Sequence, residues 1–326
     1  MIPLAEMKET RPMEVHGVIS TTTDVWNMLA AAKDGDLEQI GRLVEKCPAL
    51  AHCQYDYTAP LHLAVCEGHL DTAEYLIRHG GLDPGYRTHP FLEPLGTVAN
   101  DRGFEEIERL LKKSLDDPAL VHAWGDTGKI EHGLDEIQIE FQKSVDRGEH
   151  EKAGAMLKTR PDLALNELAF WGEGILCMPA KSGDFRMLGL LMEFGAKVPR
   201  SSKWGERYYF KHDDVAKFLL ENGMNPDHSN WRYTTLLQDK ARLGDIEKAE
   251  LLIDHGADID AVDEEFRSTA LGFAARWGQR EMVKFLIGRG AGVNRSGATW
   301  STPLAWARKK GHKEIEADLI KAGASR

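Results

Sequence analysis

Thr302-Pro303-Leu304-Ala305-Trp306-Ala307, followed by Gly311-His312, has an upstream counterpart in Ala59-Pro60-Leu61-His62-Leu63-Ala64, followed by Gly68-His69. Both stretches read as a helix that opens on proline and stops at a glycine turn. Proline suits the first helical turn because the amide it lacks has no partner there, and Thr302 can accept a backbone bond as an N-cap. The turn glycines set a register along the chain: Gly35, Gly68, Gly103, Gly148, Gly183, Gly244, Gly278 and Gly311, with Lys211 where one further glycine is expected. Gly80, Gly195, Gly223, Gly256, Gly290 and Gly323 follow the register twelve residues later, as left-handed caps closing a second helix. Each unit is therefore helix, tight turn, helix, cap.

This period and the Thr-Pro-Leu-His-x-Ala signature resemble the ankyrin repeat, whose period is 33 residues, over roughly residues 24 to 325. The resemblance implies an all-α repeat solenoid of about nine stacked helix-turn-helix units with short β-hairpin fingers, similar to bacterial-type members of the family. One unit cannot bury its own apolar face, so Leu61, Leu237, Leu271 and Leu304 need neighbours, and Ala64, Ala274 and Ala307 permit close helix approach. Gly174-Ile175-Leu176-Cys177 and Ser202-Lys203-Trp204-Gly205 are placed by register alone. The family's signature histidine bonds neighbouring loops, which makes His62 structural; Cys177, Gln238, Gly272 and Ala305 stand in its place elsewhere.

Spacing between turn glycines is 33, 35, 45 and 35 residues, then 61 across two units, then 34 and 33. The long interval marks an insertion over residues 116–134, and the 61 marks a connection shortened by about five residues near Pro199 to Trp204. The expected organisation is an N-terminal arm (1–23), units one to three (24–115), the insertion, and units four to nine (135–326). Thr21-Thr22-Thr23-Asp24 is placed to cap a first helix starting near Val25. Cys47-Pro48-Ala49-Leu50-Ala51 is echoed by Arg160-Pro161-Asp162-Leu163-Ala164, a proline exit replacing the glycine cap, as if two sub-arrays met near the insertion.

The net charge of −11 argues against a nucleic-acid partner, and the basic run Arg308-Lys309-Lys310 reads as a solvated helix face. Four cysteines without a CxxC spacing fit a reducing, cytoplasmic setting. The opening residues carry no signal-peptide core, and no stretch reaches the roughly 18 apolar residues of a membrane span.

All eight junctions between units carry aromatic residues although aromatics are only 8% of the chain: Tyr55 and Tyr57; Tyr86 and Phe91; Trp124; Phe170 and Trp171; Trp204; Trp231 and Tyr233; Phe266; Trp300. Asp56, Arg87, Glu93, Asp126, Glu173, Glu206, Arg232, Glu264, Glu265 and Arg267 are interleaved among them. Rings supply large contact area at low entropic cost, so a ladder of them reads either as a binding surface or as a packing stripe. The residues before each turn glycine, Cys66-Glu67, Asp101-Arg102, Arg276-Trp277 and Lys309-Lys310, are expected near the concave side. Trp277, Phe266, Arg267, Trp300 and Trp306 are expected to cluster over the last three units. The candidate ligand-binding residues are Tyr55, Tyr57, Trp171, Trp204, Trp231, Tyr233, Phe266, Arg267, Trp277 and Trp300.

No triad order, P-loop, dinucleotide fingerprint or HExxH is present, which weighs against an enzyme and leaves no cofactor or catalytic residue to name. His212-Asp213-Asp214 and His312 to Glu316 bring metal-capable groups together, but acidic residues favour helix starts, and no metal site is assigned. Two functions remain. The resemblance implies a scaffold binding a protein partner through its concave groove and aromatic fingers. The alternative is a small polar ligand or carbohydrate site, even a hydrolytic one, drawing a carboxylate pair from Asp56, Glu173, Glu206, Asp239, Glu264 and Glu265.

Overall fold

A computed structural model of the chain describes residues 1–124, 129–130 and 132–325. The chain divides into two compact units, one of residues 6–132 and one of residues 1–5 with 133–326. The first contains three helix-turn-helix pairs: Thr22–Asp34 with Leu37–Lys46, Pro60–Glu67 with Leu70–Arg78, and Leu95–Arg102 with Glu105–Leu115. The second contains six, from Glu136–Asp146 with His150–Thr159 to Pro303–Lys310 with Lys313–Lys321. Within each unit, first helices pack on first helices and second on second, as Thr22–Asp34 does on Pro60–Glu67 and Ala270–Arg276 on Pro303–Lys310. Leu61, Leu237, Leu271 and Leu304 are buried beneath these contacts, and Ala64, Ala274 and Ala307 are fully enclosed.

Every glycine of the two registers has positive φ, from 68° at Gly148 to 95° at Gly323. Four turn glycines carry a further requirement. A Cβ at Gly35 would lie 2.7 Å from the His69 ring, at Gly68 2.8 Å from Phe104, at Gly244 2.7 Å from Gln279, and at Gly278 2.8 Å from His312. The side chain just after each turn is thus seated on the turn of the preceding pair. It also bonds there: His69 Nε2 to Lys33 O at 2.9 Å, Gln279 Nε2 to Arg242 O at 2.9 Å, and His312 Nε2 to Arg276 O at 3.2 Å. His212 makes the same bond to Lys181 O at 3.1 Å. Each acceptor lies in the last turn of a helix, where carbonyls lack intrahelical partners. His212 and His312, flanked by acids in the sequence, therefore both serve this bond, and His312 also the seat.

The junctions are tied by a second set of bonds. His62, buried, places Nδ1 2.8 Å from the Tyr86 hydroxyl, which donates to Tyr57 O at 2.9 Å. Gln238 does this work where histidine is missing, donating to Ala261 O at 2.8 Å and Ser268 O at 3.0 Å. At Gly272 the absent side chain leaves room for Ser268 Oγ, which reaches Ser301 O at 2.9 Å.

Residues read from the sequence as an arm form a hairpin, β1 (Pro12–Val15) with β2 (Val18–Thr21), and the first helix begins at Thr22, capped by Thr21 Oγ1, rather than near Val25. The stretch read as an insertion supplies β3 (Lys129–Ile130), which pairs with β1 to give the order β2-β1-β3. Its Val121 bridges to Leu82, and Trp124 stacks on His52 at 3.5 Å between ring centres. Both proline exits become 3-10 turns, Pro48–His52 and Pro161–Leu165. The short connection before Trp204 leaves only five residues in the helix Gly205–Tyr209. Lys240, in the alanine position of its helix, is 1% exposed and reaches Glu206 at 2.7 Å.

The seat gives a paired test. Gly278, Gly183 and Gly311 have nearly equal φ, but nothing lies within 4 Å of a Cβ at Gly183 or Gly311. Gly183→Ala and Gly311→Ala should each cost about 1 kcal/mol for the left-handed backbone. Gly278→Ala should cost about 1–3 kcal/mol beyond that, because His312 must leave its seat. Urea unfolding measures all three; equal losses would remove the seat from the account.

Candidate functional site

In the larger unit, two neighbouring junctions are built alike. Asn230 Oδ1 accepts the amides of Arg232 (2.9 Å) and Thr234 (3.0 Å), while Asp263 accepts those of Phe266 (2.8 Å) and Ser268 (3.0 Å). Short side chains bonding their own turn hold a loop tip in one conformation. Asn230 thereby presents Trp231, Arg232 and Tyr233, and Asp263 presents Glu264 to Arg267. Arg232 and Glu265 form an ion pair with side chains 6% and 5% exposed. Glu264 N donates to Arg232 O at 3.0 Å, and the Met1 ammonium binds both Glu264 oxygens at 2.8 Å. Ile2 N donates to Trp231 O at 2.8 Å.

Beside these tips lies the aromatic cluster expected over the last helix pairs, with a different arginine at its centre. Arg276, not Arg267, stands over Phe266 (4.9 Å), Trp277 (4.9 Å) and Trp306 (4.4 Å). A weakly hydrated planar guanidinium can be enclosed by ring faces in this way. Phe266 meets Trp277 edge-on at 5.2 Å, and Trp300 meets Trp306 at 5.7 Å. The sequence placed Arg276 before a turn without marking it as the hub; its signal was Arg-Trp preceding a turn glycine, one helix before a second tryptophan.

The ten candidate residues separate by exposure. Trp171 (59%), Tyr233 (43%) and Tyr57 (41%) are exposed. Trp204, Arg267, Trp277 and Trp300 are half-buried. Tyr55, Trp231 and Phe266 are buried, so their rings are not open rungs of a ladder. Tyr55 packs edge-on to Trp26, and Trp204 has Arg207 over its face at 4.4 Å. The exposed tips share a backbone trait. Tyr57 (φ 59°), Trp171 (φ 63°) and Tyr233 (φ 63°) all sit in the left-handed region, as does Arg267 (φ 50°). Phe170, next to Trp171, also has positive φ.

The carboxylates considered for acid-base chemistry are engaged. Glu173 is 1% exposed and accepts the amides of Lys203 (3.1 Å) and Trp204 (3.2 Å). Glu206 holds Lys240, Asp239 holds Arg242 at 2.7 Å, Glu264 the Met1 ammonium, and Glu265 Arg232. Asp56 is half-buried at the Tyr57 tip, and Asp126 lies outside the described residues. Burial, and secondarily Glu173, pushes the Cys177 thiol far up, and burial does the same to Tyr209. Ser202 and His228 have a nucleophile-base look, with Oγ 3.0 Å from Nε2 and Nδ1 donating to Pro199 O at 2.9 Å. Both are 1% exposed, and the pair ties the short connection to the next junction. Among the described residues no helix is long and apolar enough to cross a membrane.

A family model described as ankyrin repeats (three copies) matches residues 206–297 and 237–325, and one for a single ankyrin repeat matches residues 57–89. The ankyrin repeat and KH domain-containing protein mask-1 of Caenorhabditis elegans is 30% identical over 286 residues, 83% of this chain and 10% of its own length. The palmitoyltransferase ZDHHC17 of Homo sapiens is 34% identical over 99 residues, 30% of this chain and 15% of its own. A homolog of transient receptor potential cation channel subfamily A member 1 from Caenorhabditis elegans is 29% identical over 155 residues, 47% of this chain and 12% of its own. The chain thus spans only a small part of these relatives.

His228 carries a pH signature. Burial lowers its pKa from 6.5 to about 4, so the folded state binds fewer protons than the unfolded chain between those values. Its contribution is intact above pH 6.5 and falls as the pH drops toward 4, by up to about 3 kcal/mol. Melting temperature followed from pH 7 to 4.5 should decline in the wild type and decline less steeply in His228→Gln; parallel slopes would contradict the assignment. The chain contains ankyrin repeats, at residues 57–89 and 206–325.

Proposed function

We propose that the chain is a recognition scaffold that binds a protein partner through the tips of its junctions and the adjoining first-helix ends, a concave groove edged by aromatic fingers. All nine helix pairs are read as ankyrin units, including those the family models do not match. Four free cysteines support the cytoplasmic setting. The observation that carries the reading is the state of Trp171 and Tyr233: each exposes a large ring to water from a backbone conformation that glycine would adopt more cheaply. A non-glycine residue there costs on the order of 1 kcal/mol, and such strain collects at ligand contacts. Tyr57 repeats the pattern.

The half-buried Trp204, Trp277, Trp300 and Arg267 complete the surface. Arg276 and its rings support it from below, as rigid rings hold a contact face at little entropic cost. The chain is similar to short stretches of proteins named as a palmitoyltransferase, a channel and an ankyrin repeat and KH domain-containing protein, and similarity to proteins of such different kinds suits a recognition module. The hydrolytic alternative gains nothing, because the carboxylates it needs in this unit are held by cations or amides.

Glycine at the tips separates the two roles a tip can have. Trp171→Gly and Tyr233→Gly should leave the fold as stable or more stable, by about 1 kcal/mol each, since the left-handed strain is relieved. The same changes should weaken a purified partner, first identified by affinity capture, about tenfold or more in a titration. If the variants melt lower and bind the partner unchanged, the tips are packing residues and the reading is wrong.

A further inference from the structure

We propose that His16, His52 and His122 make an acid-released clasp, which holds Trp124 and the chain around it against the first two helix pairs at neutral pH and lets go as the pH falls. All of its parts lie in the unit of residues 6–132, and it is independent of the Trp171 and Tyr233 tips. Four stretches of chain meet here. His52, the last residue of the 3-10 turn Pro48–His52, stacks flat on Trp124, with 3.5 Å between ring centres and 6° between planes. His16, from the β1–β2 turn, stands 4.5 Å from the His52 ring and 4.8 Å from Trp124, and its Nε2 donates to His52 O at 2.9 Å. His122 stands 5.5 Å from Trp124. The cap glycine Gly80 closes the fourth side: a Cβ there would lie 3.5 Å from Trp124, 3.6 Å from His122 and 3.8 Å from His52 Nδ1.

Polar bonds fasten the same segment. Trp124 Nε1 donates to Gly80 O at 2.6 Å and its amide to Asp83 Oδ2 at 3.2 Å, while His122 N donates to Leu82 O at 3.0 Å. His52, at the centre, is poorly placed to carry charge. Charging makes both ring nitrogens donors, and Nδ1 is buried with no hydrogen-bond partner. The charges that act on it, those of His16 and His122, have the same sign. On the remaining sides, Asp83 is committed to the amides of Gly85 and Trp124, and His79, next to Gly80, faces Tyr75. Glu14 lies on the opposite face of β1 from the buried Met13 and Val15. An indole face favours a cation stacked on it, which acts the other way. Burial and like charge outweigh it, burial first, then His16, then His122: the His52 pKa is lowered from 6.5 to about 4. The closed clasp thus excludes a proton that the open one binds. Closure is fully favoured above pH 6.5 and is lost as the pH falls toward 4.

The test is hydrogen–deuterium exchange of the His122 and Trp124 amides in the full chain, followed from pH 7 to 4.5. Each rate divided by the intrinsic rate at the same pH gives the opening constant of the clasp. That constant should rise about 50-fold over the range, as a pKa of 6.5 open and about 4 closed requires. Amides inside the helix Pro60–Glu67 should not follow it. His52→Phe keeps a flat ring against Trp124 and cannot titrate, so it should leave the two amides protected at pH 7 and remove the pH dependence. His16→Gln removes the larger of the two like charges and should lessen the rise without abolishing it. A wild-type opening constant independent of pH overturns the proposal. A rise as steep as the wild type's in either variant also does so, and in His52→Phe it would place the titration on Asp83. A rise shared by the Pro60–Glu67 amides overturns it too, since the whole unit would then be unfolding.

Discussion

The structure depends on the seat that the turns at Gly35, Gly68, Gly244 and Gly278 provide for the next helix pair. The side chain after a turn rests on the glycine of the preceding turn and donates to the last turn of the preceding first helix, as His69, Gln279 and His312 show. Two separate demands therefore fall on one glycine, a left-handed φ and an empty Cβ position. The helix carbonyls at Lys33, Arg242 and Arg276 gain donors that their own pair does not supply, so a unit is completed by its neighbour in polar terms as well as apolar ones. Cooperativity between adjacent pairs follows from this dependence.

With the turns secured in this way, the opposite ends of the first helices can vary. The signature histidine is exchanged for Gln238, whose amide reaches two carbonyls of the next junction, and for Gly272, whose space Ser268 fills. At the pair with the five-residue helix, the shortfall is met by Lys240. Its alkyl stem lies where alanine stands elsewhere, and its ammonium reaches Glu206 at the edge of that helix. A long side chain can fill space with methylenes while carrying its charge to a carboxylate. Each departure from the signature thus preserves a bond or a volume.

Much of this order was legible because it is local. Glycine periodicity, proline openings and small residues report φ, missing amides and close approach, which neighbours in the chain determine. The fate of the aromatic rings was not legible for the same reason. Trp231 and Tyr233 are two residues apart in a turn anchored by Asn230, and one is enclosed while the other is exposed. Nothing in ring chemistry distinguishes them; the turn geometry does. Arg267 and Arg276 differ likewise, and only packing of Phe266, Trp277 and Trp306 picks out the second. The β1–β2 hairpin had a readable signal, two short apolar-bearing runs separated by His16-Gly17, which the helical register overshadowed.

The distribution of satisfied and unsatisfied features separates architecture from recognition in the larger unit. Polar groups inside the junctions are committed: Asn230 and Asp263 to their turns, Glu173 to two amides, Glu265 to Arg232, His228 to Ser202 and Pro199. Glu173 and Glu265 are buried, and their oxygens are engaged by backbone amides and by Arg232 within the junctions. The tips carry a different cost, since Trp171 and Tyr233 keep both backbone strain and exposed apolar area. Those two costs add rather than cancel in the free protein, and contact with a partner removes the second of them. On the proposed reading, the tips are therefore the part of the unit that gains most from contact with a partner.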